Sequence, residues 1–204
     1  MFSFLKQLKR NMPMRIVVNG NPALRAISAP IDEITAETRK FAAELTRSLV
    51  ESETPGVGLA APQVGVNLRM VVIDTRSDEG PRPDALPGEL MLEPQMPVVL
   101  INPEIISSSN ECELSSEGCL SLPGVNGHVK RPKTVVLKSR LLNGTEFTAE
   151  CGGLLARCLQ HEIDHLDGIL FYDRISEAEQ KKGRAQMERL EKRELSLLKI
   201  SEKK

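Results

Sequence analysis

The sequence predicts an α+β fold with one largely buried helix and a further helix at the C-terminus. Several strand-like segments are interrupted by only a few helical ones, unlike the regular alternation of strand and helix in α/β proteins. The segment 154–166 (LLARCLQHEIDHL) has helical periodicity and is apolar around most of its circumference, as expected of a buried helix. With 204 residues, 40% of them hydrophobic, the chain can form one domain with a sizeable core.

The N-terminal part of the chain is predicted to contain one strand and one helix. Residues 14–20 (MRIVVNG) are expected to form a short strand that ends in an Asn-Gly turn. Apolar residues recur at helical spacing between Phe41 and Leu49, which predicts a helix over about 36–52. The Thr-Pro-Gly sequence at 54–56 is expected to stop it.

Two buried strands are predicted in the middle of the chain, at 68–74 and 97–103. Each is a short run dominated by apolar and β-branched residues. The segment 76–96 between them is rich in proline and acidic residues, which predicts a loop. It could serve as a lid or specificity element, or be a passive surface insertion.

The last third is predicted to contain a hairpin followed by the buried helix. Residues 134–142 and 145–150 alternate as strands do, and Asn143-Gly144 between them is typical of a primed turn. The helix over 154–166 follows, and Gly168 is expected to cap its C-terminal end.

The chain is therefore divided into an N-terminal extension (1–13), a central domain (14–175) and a helical tail (176–204). The sequence Ser176-Glu-Ala-Glu179 is typical of a capping box that opens a helix. The tail contains nine Lys or Arg residues and six Glu residues, a formal charge of +3.

Composition excludes several classes of protein. The net charge is -1, aromatic residues are 3% and Trp is absent, so neither a basic surface for DNA nor a platform for base stacking is expected. No apolar run approaches the roughly 20 residues of a membrane span, and the N-terminus does not resemble a secretory signal. The four cysteines form no CxxC pair. A cytoplasmic protein with reduced thiols is expected.

The sequence from His161 to His165 is an HExxH motif on a predicted helix. The two histidines lie one turn apart, so both rings can reach one metal ion. Glu162 lies beside that ion, where a base could act on water. The chain contains three histidines, and two of them are in this motif.

A catalytic site of this kind needs a third protein ligand. Metzincin proteases place a third His where this chain has Phe171, so that pattern fails. Cys158 lies on the same helical face as His161 and His165. However, it is seven residues from His165, about 10.5 Å along a helix, so one ion cannot easily bond all three residues. Cys158 is therefore expected to be a packing residue. His128 lies in a loop rich in Gly, Lys and Arg.

Three further cysteines remain as candidates for the third ligand. Cys119 follows Glu117-Gly118, and the glycine would allow close approach of the backbone. Spacing alone does not choose Cys119 over Cys112 or Cys151.

Three segments together resemble peptide deformylases: GVGLAAPQ at 56–63, EGCLS at 117–121 and QHEIDHLDG at 160–168. They match the family patterns GxGLAAxQ, EGCLS and QHExDHLxG in the same order. The resemblance covers about 14–175. It implies a fold in which antiparallel and mixed β-sheets surround a central buried HExxH helix.

The resemblance also implies an activity and a metal. The enzyme would remove the formyl group from the N-terminal formyl-methionine of nascent peptides and release formate. One divalent ion would be held by Cys119, His161 and His165, with Glu162 as general acid and base. Fe²⁺ is the expected ion, and Zn²⁺, Ni²⁺ and Co²⁺ are the alternatives.

Further roles follow from the same resemblance. The side chain of Gln63 and the backbone N–H of Leu120 would stabilise the oxyanion formed on the substrate. The substrate cleft would be lined by Gly56, Val57, Gly58 and Glu117. Asn126 stands where family members often have Arg, which affects contacts to outer substrate residues.

The basic tail could have a binding role of its own, and two other functions are alternatives to a deformylase. In some bacterial deformylases a C-terminal helix docks on the ribosome, so the tail could contact ribosomal RNA. A solvated, salt-bridged helix is the favoured interpretation. A zinc metallopeptidase and a non-catalytic, metal-stabilised binding module are the alternatives to a deformylase. The presence of Glu162 and Gln63 argues against the module, because a structural site needs neither.

Overall fold

A five-stranded antiparallel sheet separates two helices, one packed on each of its faces. The computed structural model describes residues 13–77, 80 and 82–202. The helices are α1 (Ala36–Val50), α2 (Pro87–Leu92), α3 (Gly153–Leu166) and α4 (Glu177–Glu202). The strands are β1 (Gly58–Ala60), β2 (Met70–Ile73), β3 (Val98–Ser108), β4 (Cys112–Gly118), β5 (Asn126–Pro132), β6 (Val135–Leu141) and β7 (Glu146–Cys151). Short 3₁₀ helices occur at Pro22–Arg25, Ala61–Val64, Glu93–Gln95 and Phe171–Asp173.

The sheet has the strand order β1-β2-β3-β6-β7, and β4 and β5 form a separate hairpin. Every pairing between these strands is antiparallel. The parallel contact within the described ranges is an isolated bridge between Ala29 and Leu68. No helix in the described part of the chain is long and apolar enough to cross a membrane. The α+β architecture expected from the sequence is confirmed.

Strand β2 shows why the two helices take opposite faces. All four of its residues are buried. Met70 and Val72 pack with α1, whereas Val71 and Ile73 pack with α3, because successive side chains of a strand point to opposite faces. Burying each side chain of this size stabilises the fold by about 1.5–3 kcal/mol. The predicted strand and the predicted helix at 36–52 are both confirmed.

The buried helix α3 ends as the sequence predicts. Gly168 has a φ of +73°, a left-handed conformation that residues with a Cβ rarely adopt. The N–H of Ile169 donates to the carbonyl of Asp164 at 2.8 Å, which satisfies a carbonyl of the last turn. A Cβ at position 168 would also lie 2.7 Å from the carbonyl oxygen of Arg25. Gly168 therefore serves both the cap and the close packing of the N-terminal segment.

The strand predicted at 14–20 is wrong, although the turn at Asn19 and Gly20 is present. The N–H of Val17 donates to the carbonyl of Gln63 at 2.8 Å, and that of Asn19 donates to the carbonyl of Ser121 at 3.1 Å. These acceptors belong to the 3₁₀ helix Ala61–Val64 and to the turn after β4. The segment therefore has no single partner strand with which to form a ladder.

The prediction of a plain loop over 76–96 is also wrong for its second half. Helix α2 and a 3₁₀ helix occupy residues 87–95. Leu92 is fully buried and Met96 is 4% exposed, and both belong to the core cluster that includes α3. The segment therefore contributes to the core and is not a passive insertion. Residues 78, 79 and 81 lie outside the described residues.

The hairpin β6–β7 is confirmed, but its turn is not primed. A type I′ turn needs a positive φ at both central residues, whereas here Gly144 has a φ of +92° and Asn143 does not share that conformation. The N–H of Leu141 donates to the carbonyl of Thr145 at 2.9 Å. The connection is therefore a three-residue loop with the glycine in its last position.

The tail forms helix α4, which begins at the expected capping box. The N–H of Glu179 donates to the Ser176 hydroxyl at 3.4 Å, and the Ser176 N–H donates to the Glu179 carboxylate at 3.3 Å. Further along, Met187 and Leu190 are buried, and Glu194 is fully buried. The predicted N-terminal extension lies outside the described residues except for Pro13.

Glu194 anchors α4 to the N-terminal segment through an ion pair with Arg15, in which the carboxylate is buried and the guanidinium is partly exposed. Its oxygens accept hydrogen bonds from the Arg15 guanidinium at 2.6 and 2.8 Å and from the Asn21 amide at 2.8 Å. Burial opposes ionisation, but these donors outweigh it and lower the pKa of Glu194.

We predict that Glu194→Gln lowers the free energy of unfolding at pH 7 by about 1–3 kcal/mol, because charged hydrogen bonds are removed. The carboxyl has a lower pKa in the folded state than its unfolded value near 4.3, so its contribution is present above that pH. This stabilisation is lost as the pH falls through the folded pKa of Glu194. The free energy of unfolding of the variant should therefore depend less on pH than that of the wild type below about pH 5. Urea unfolding at several pH values measures this, with exposed Glu188→Gln as control. Equal acid sensitivity of wild type and Glu194→Gln would contradict it.

Candidate metal centre

Helix α3 and the end of strand β4 bring one thiol and two imidazoles together. His161 and His165 lie one helical turn apart, with ring centroids separated by 5.0 Å. Cys119 follows the last residue of β4, and its Sγ lies 3.2 Å from Nε2 of His165. One ligand atom from each of these residues lies within 4.8 Å of the other two. This is close to the spacing that bonds of about 2.0–2.3 Å to one shared ion require.

The other cysteines lie away from this cluster. Cys112 begins β4, at the opposite end of the strand from Cys119. Cys151 is fully buried at the end of β7, and burial raises the pKa of its thiol to about 12. Cys158 is also buried, with its Sγ 3.4 Å from the carbonyl oxygen of Val57, and burial raises its pKa well above the usual range. These contacts fit a packing role for Cys158.

The third histidine is not part of the cluster. The His128 side chain is 59% exposed and lies 2.8 Å from the carboxylate of Glu179, in the first turn of α4. Within the described residues, the thiol, imidazole and carboxylate groups that could share an ion are those of Cys119, His161 and His165.

The charge properties of the cluster suit a cation. Burial would lower the pKa of His161, but hydrogen bonds with Cys119 and Glu117 outweigh it and raise the pKa to about 10. The surroundings of His161 therefore stabilise a positive charge at this position. Burial and the neighbouring charge of His161 lower the pKa of His165 well below its usual value. A thiolate with two imidazoles is a donor set that suits Zn²⁺ or Fe²⁺, so the residues present fit a divalent metal.

Glu162 is a buried carboxyl group beside the ligands. It is 4% exposed, and its Oε2 has no hydrogen-bond partner among the described residues. Burial raises its pKa to about 7, against the opposing effect of His161. A Cβ on Gly58 would lie 2.5 Å from Oε1 of Glu162 and 2.7 Å from Sγ of Cys158. The glycine therefore allows the backbone at the start of β1 to pass close to this carboxyl.

Gln63 is held so that its amide nitrogen faces the cluster. It lies in the 3₁₀ helix Ala61–Val64, and its Oε1 accepts a hydrogen bond from the N–H of Ala60 at 2.7 Å. Its Nε2 lies 3.4 Å from Sγ of Cys119 and 3.3 Å from the hydroxyl of Ser121. Because the oxygen is bound on the other side, the amide is oriented to donate towards the cleft.

Both carboxylate oxygens of Glu117 accept hydrogen bonds from neighbouring side chains. They accept hydrogen bonds from Nδ1 of His161 at 2.9 Å and from the guanidinium of Arg131 at 2.7 and 3.0 Å. Arg157 donates to the same carboxylate at 2.8 Å. These donors outweigh the effect of burial and hold the pKa of Glu117 far below its usual value. Glu117 lines the cleft as the sequence analysis expects, and its bonds also suit it to orient His161.

A cleft of about 500 Å³ opens onto the cluster. Its lining includes Gly56, Val57 and Gly58, Leu120 and Asn126. The metal ligands Cys119 and His161 line the same cavity, so the expected substrate-binding segment 56–58 borders the cluster.

Two further charged residues of α3 have contacts of their own. Arg157 lines the cleft while its guanidinium bonds Glu117, so it both borders the cavity and is ion-paired. Asp164 lies between the two histidines in sequence and accepts hydrogen bonds from Arg131 at 2.8 Å and from Arg174 at 2.5 and 2.6 Å. Sequence spacing gave no role to Arg131 or Asp164, because their contacts join segments far apart in the chain.

Comparisons with known proteins identify related chains. The family model described as polypeptide deformylase matches residues 13–181. Peptide deformylase 2 of Gloeobacter violaceus is 44% identical over 170 residues, covering 83% of this chain and 83% of the relative. Peptide deformylase of Bartonella bacilliformis is 40% identical over 167 residues, covering 81% and 86%.

Solved structures show the same similarity. A plant peptide deformylase matches with a TM-score of 0.75 and 33% identity, over 89% of this chain and 90% of that one. A peptide deformylase from Synechococcus elongatus in complex with actinonin matches with a TM-score of 0.72 and 33% identity, over 87% of each chain.

We predict that the protein binds one equivalent of Zn²⁺ or Co²⁺, and that Cys119→Ala or His165→Ala abolishes stoichiometric binding because a ligand is removed. Cys158→Ala is the matched control, since it removes a buried thiol one turn before His161 and should leave the stoichiometry unchanged. Metal analysis after gel filtration measures both. Loss of the ion in Cys158→Ala but not in Cys119→Ala would overturn the ligand assignment.

Proposed function

This chain belongs to the polypeptide deformylase family, whose members remove the N-formyl group from nascent proteins in a metal-dependent reaction, and we propose which of its residues carry out each step. The observation that supports the proposal is the convergence of a thiol, two imidazoles, a buried carboxyl and an oriented amide on one cleft. A formamide is a poor electrophile and water at neutral pH is a poor nucleophile, so the reaction benefits from a metal, a base and a donor to the oxyanion.

Cys119, His161 and His165 are proposed to hold the ion. Fe²⁺ is the proposed native metal, with Zn²⁺, Ni²⁺ and Co²⁺ as substitutes, because the Cys/His₂ donor set suits each of them. A divalent ion supplies Lewis acidity there, which brings the pKa of a bound water towards neutrality. Glu117 accepts the Nδ1 proton of His161 and so leaves Nε2 available as the ligand atom.

Glu162 is proposed to be the general base and then the general acid. It takes the proton of the attacking water as the bond to the formyl carbon forms. It then gives that proton to the departing amine as the C–N bond breaks, which releases formate and a free α-amino group. Its burial and its unpartnered oxygen support this role, since the oxygen is available to a reacting group.

Gln63 and Leu120 are proposed to stabilise the negative charge that develops on the formyl oxygen. The Gln63 amide is already oriented by its bond to Ala60, so little reorganisation is needed when the charge forms. The second donor is the backbone N–H of Leu120. One preorganised donor of this kind typically contributes about 2.7–4 kcal/mol to the transition state.

The segment Gly56, Val57 and Gly58 is proposed to bind the formyl-methionyl peptide in an extended form. It leads into β1, which is an edge strand of the sheet and can accept a further strand. The glycines keep side chains out of the cleft. Asn126, which also lines the cleft, cannot replace the charge of an arginine, so contacts to outer substrate residues should be weaker here.

Domain boundaries and a cellular location are also proposed. The catalytic domain spans 14–175, the helical tail 176–204 follows, and the protein acts in the cytoplasm, where nascent formylated chains are present. The rival zinc metallopeptidase would cleave internal peptide bonds and need no formyl group. A non-catalytic module would bind metal without turnover.

We predict that Glu162→Gln retains one equivalent of metal but lowers kcat for formate release by about 10²–10⁴, because proton transfer is abolished while the side chain keeps its size. Formate release from formyl-Met-Ala measures activity, and unformylated Met-Ala-Ser tests for peptidase activity. Glu188→Gln, on the exposed face of α4, is the control. Full activity of Glu162→Gln would refute its role, and cleavage of the unformylated peptide would favour the metallopeptidase.

The exposed face of α4 supports a second, separate proposal, that the tail contacts ribosomal RNA. Two of its acidic residues are engaged elsewhere, because Glu179 pairs with His128 and Glu194 with Arg15. The exposed charged side chains of the helix are then mainly basic: Lys181, Lys182, Arg184, Arg189, Lys192, Arg193 and Lys199. Such a face can contact phosphates.

We predict that the triple variant Arg189→Gln, Lys192→Gln, Arg193→Gln co-sediments less with ribosomes and shows a shallower salt dependence, by about one unit of log-log slope for each phosphate that it no longer neutralises. Formate release should be unchanged. The matched control replaces the exposed residues Glu177, Glu188 and Glu191 with Gln. The same salt dependence in wild type and the basic-residue variant would exclude the interaction.

A further inference from the structure

A buried arginine connects the two elements that carry the proposed metal ligands. Arg131 lies on β5 and is 3% exposed. Its guanidinium donates two hydrogen bonds to Glu117, at 2.7 and 3.0 Å, and a third to Asp164 at 2.8 Å. Nothing in the proposed reaction requires Arg131 itself to touch the substrate or the ion.

The two carboxylates lie next to the ligands. Glu117 is on β4, two residues before Cys119, and it also accepts the Nδ1 proton of His161. Asp164 is on α3, directly before His165. Arg131 therefore links the strand that carries the thiol to the helix that carries both imidazoles, although β5 itself contributes no ligand.

We infer that Arg131 is a positioning residue that sets the geometry of Cys119 relative to the histidine pair, and thereby determines how long the ion is retained. The inference rests on the proposed metal centre. A guanidinium suits this role because its planar fork binds Glu117 through two parallel bonds while a third N–H reaches Asp164. A lysine ammonium is a point charge and cannot reproduce that fork.

The surrounding contacts allow this role to be separated from simple charge neutralisation. Without Arg131, Glu117 would still be bonded to Arg157, and Asp164 would still be bonded to Arg174 at 2.5 and 2.6 Å. Each carboxylate thus keeps a cationic partner. Arg157 and His161 on α3 also still contact Glu117 on β4. The loss is specific to the link between Glu117 and Asp164, the two carboxylates next to the ligands, so the main effect should be on the metal site.

The test measures metal release, with Arg131→Lys and Arg131→Met compared to wild type. Each protein is loaded with one equivalent of Co²⁺, and the decay of its absorption spectrum is followed after addition of excess EDTA. Outer contacts to metal ligands typically change affinity by 10–100-fold, so both variants should release the ion at least 10-fold faster. Their starting spectra should differ from wild type because the ligand geometry is altered.

Arg15→Met is the matched control, because it also removes an arginine from an ion pair, with fully buried Glu194, outside the metal centre. It should lower the melting temperature without changing the release rate. If Arg131→Met does not fold, Arg131→Lys, which keeps the charge, decides the test. Wild-type release rates in the folded Arg131 variants would overturn the inference.

A double-mutant cycle tests whether Arg131 acts through Glu117. Glu117→Gln alone should accelerate release, and adding Arg131→Lys should have less effect than it has in wild type, because the two residues share one connection. Fully additive effects would contradict the inference. Failure of wild type to bind one equivalent of Co²⁺ would instead refute the proposed metal centre.

Discussion

The structure depends on keeping a group of charged and polar side chains inside an apolar core. Helix α3 packs on the central sheet and carries His161, Glu162 and His165 into the interior. Burying such groups without partners would cost several kcal/mol each. Glu117 and Arg131 provide those partners for the helix, and a cation shared with Cys119 would provide the remainder. The position of β4 and β5 against α3 follows from this requirement.

Close approach of the backbone is the second constraint. Gly58 leaves room for Glu162 and Cys158, so that the edge of the sheet forms one wall of the cleft directly beside the proposed base. Gly168 lets α3 end against the N-terminal segment. Helix α3 is thus fixed at its C-terminal end by packing and along its polar face by ion pairs. Gln63 is oriented separately, by its bond to the N–H of Ala60, and its amide nitrogen lies near Cys119.

Local patterns predicted more of this protein than long-range ones. The HExxH spacing and the caps of α3 and α4 depend on residues close in sequence, so they could be identified from the sequence. The segment 14–20 has the composition of a strand, but its hydrogen-bond partners lie in a distant 3₁₀ helix and a distant turn. The burial of Leu92 and Met96 was hidden by the surrounding prolines and charges. The proximity of Cys119 to the histidines could be expected only from family resemblance, and the connection made by Arg131 was not predicted.

The central claim is that one thiolate and two imidazoles hold a single ion. X-ray absorption spectroscopy of the Zn²⁺-loaded protein tests it most directly, because sulfur and nitrogen ligands differ in bond length. The account predicts one sulfur at about 2.3 Å and two imidazole nitrogens at about 2.0–2.1 Å in the wild type, and no sulfur-bound zinc retained by Cys119→Ala. A wild-type spectrum without a sulfur ligand, or with the same sulfur ligand in Cys119→Ala, would contradict it.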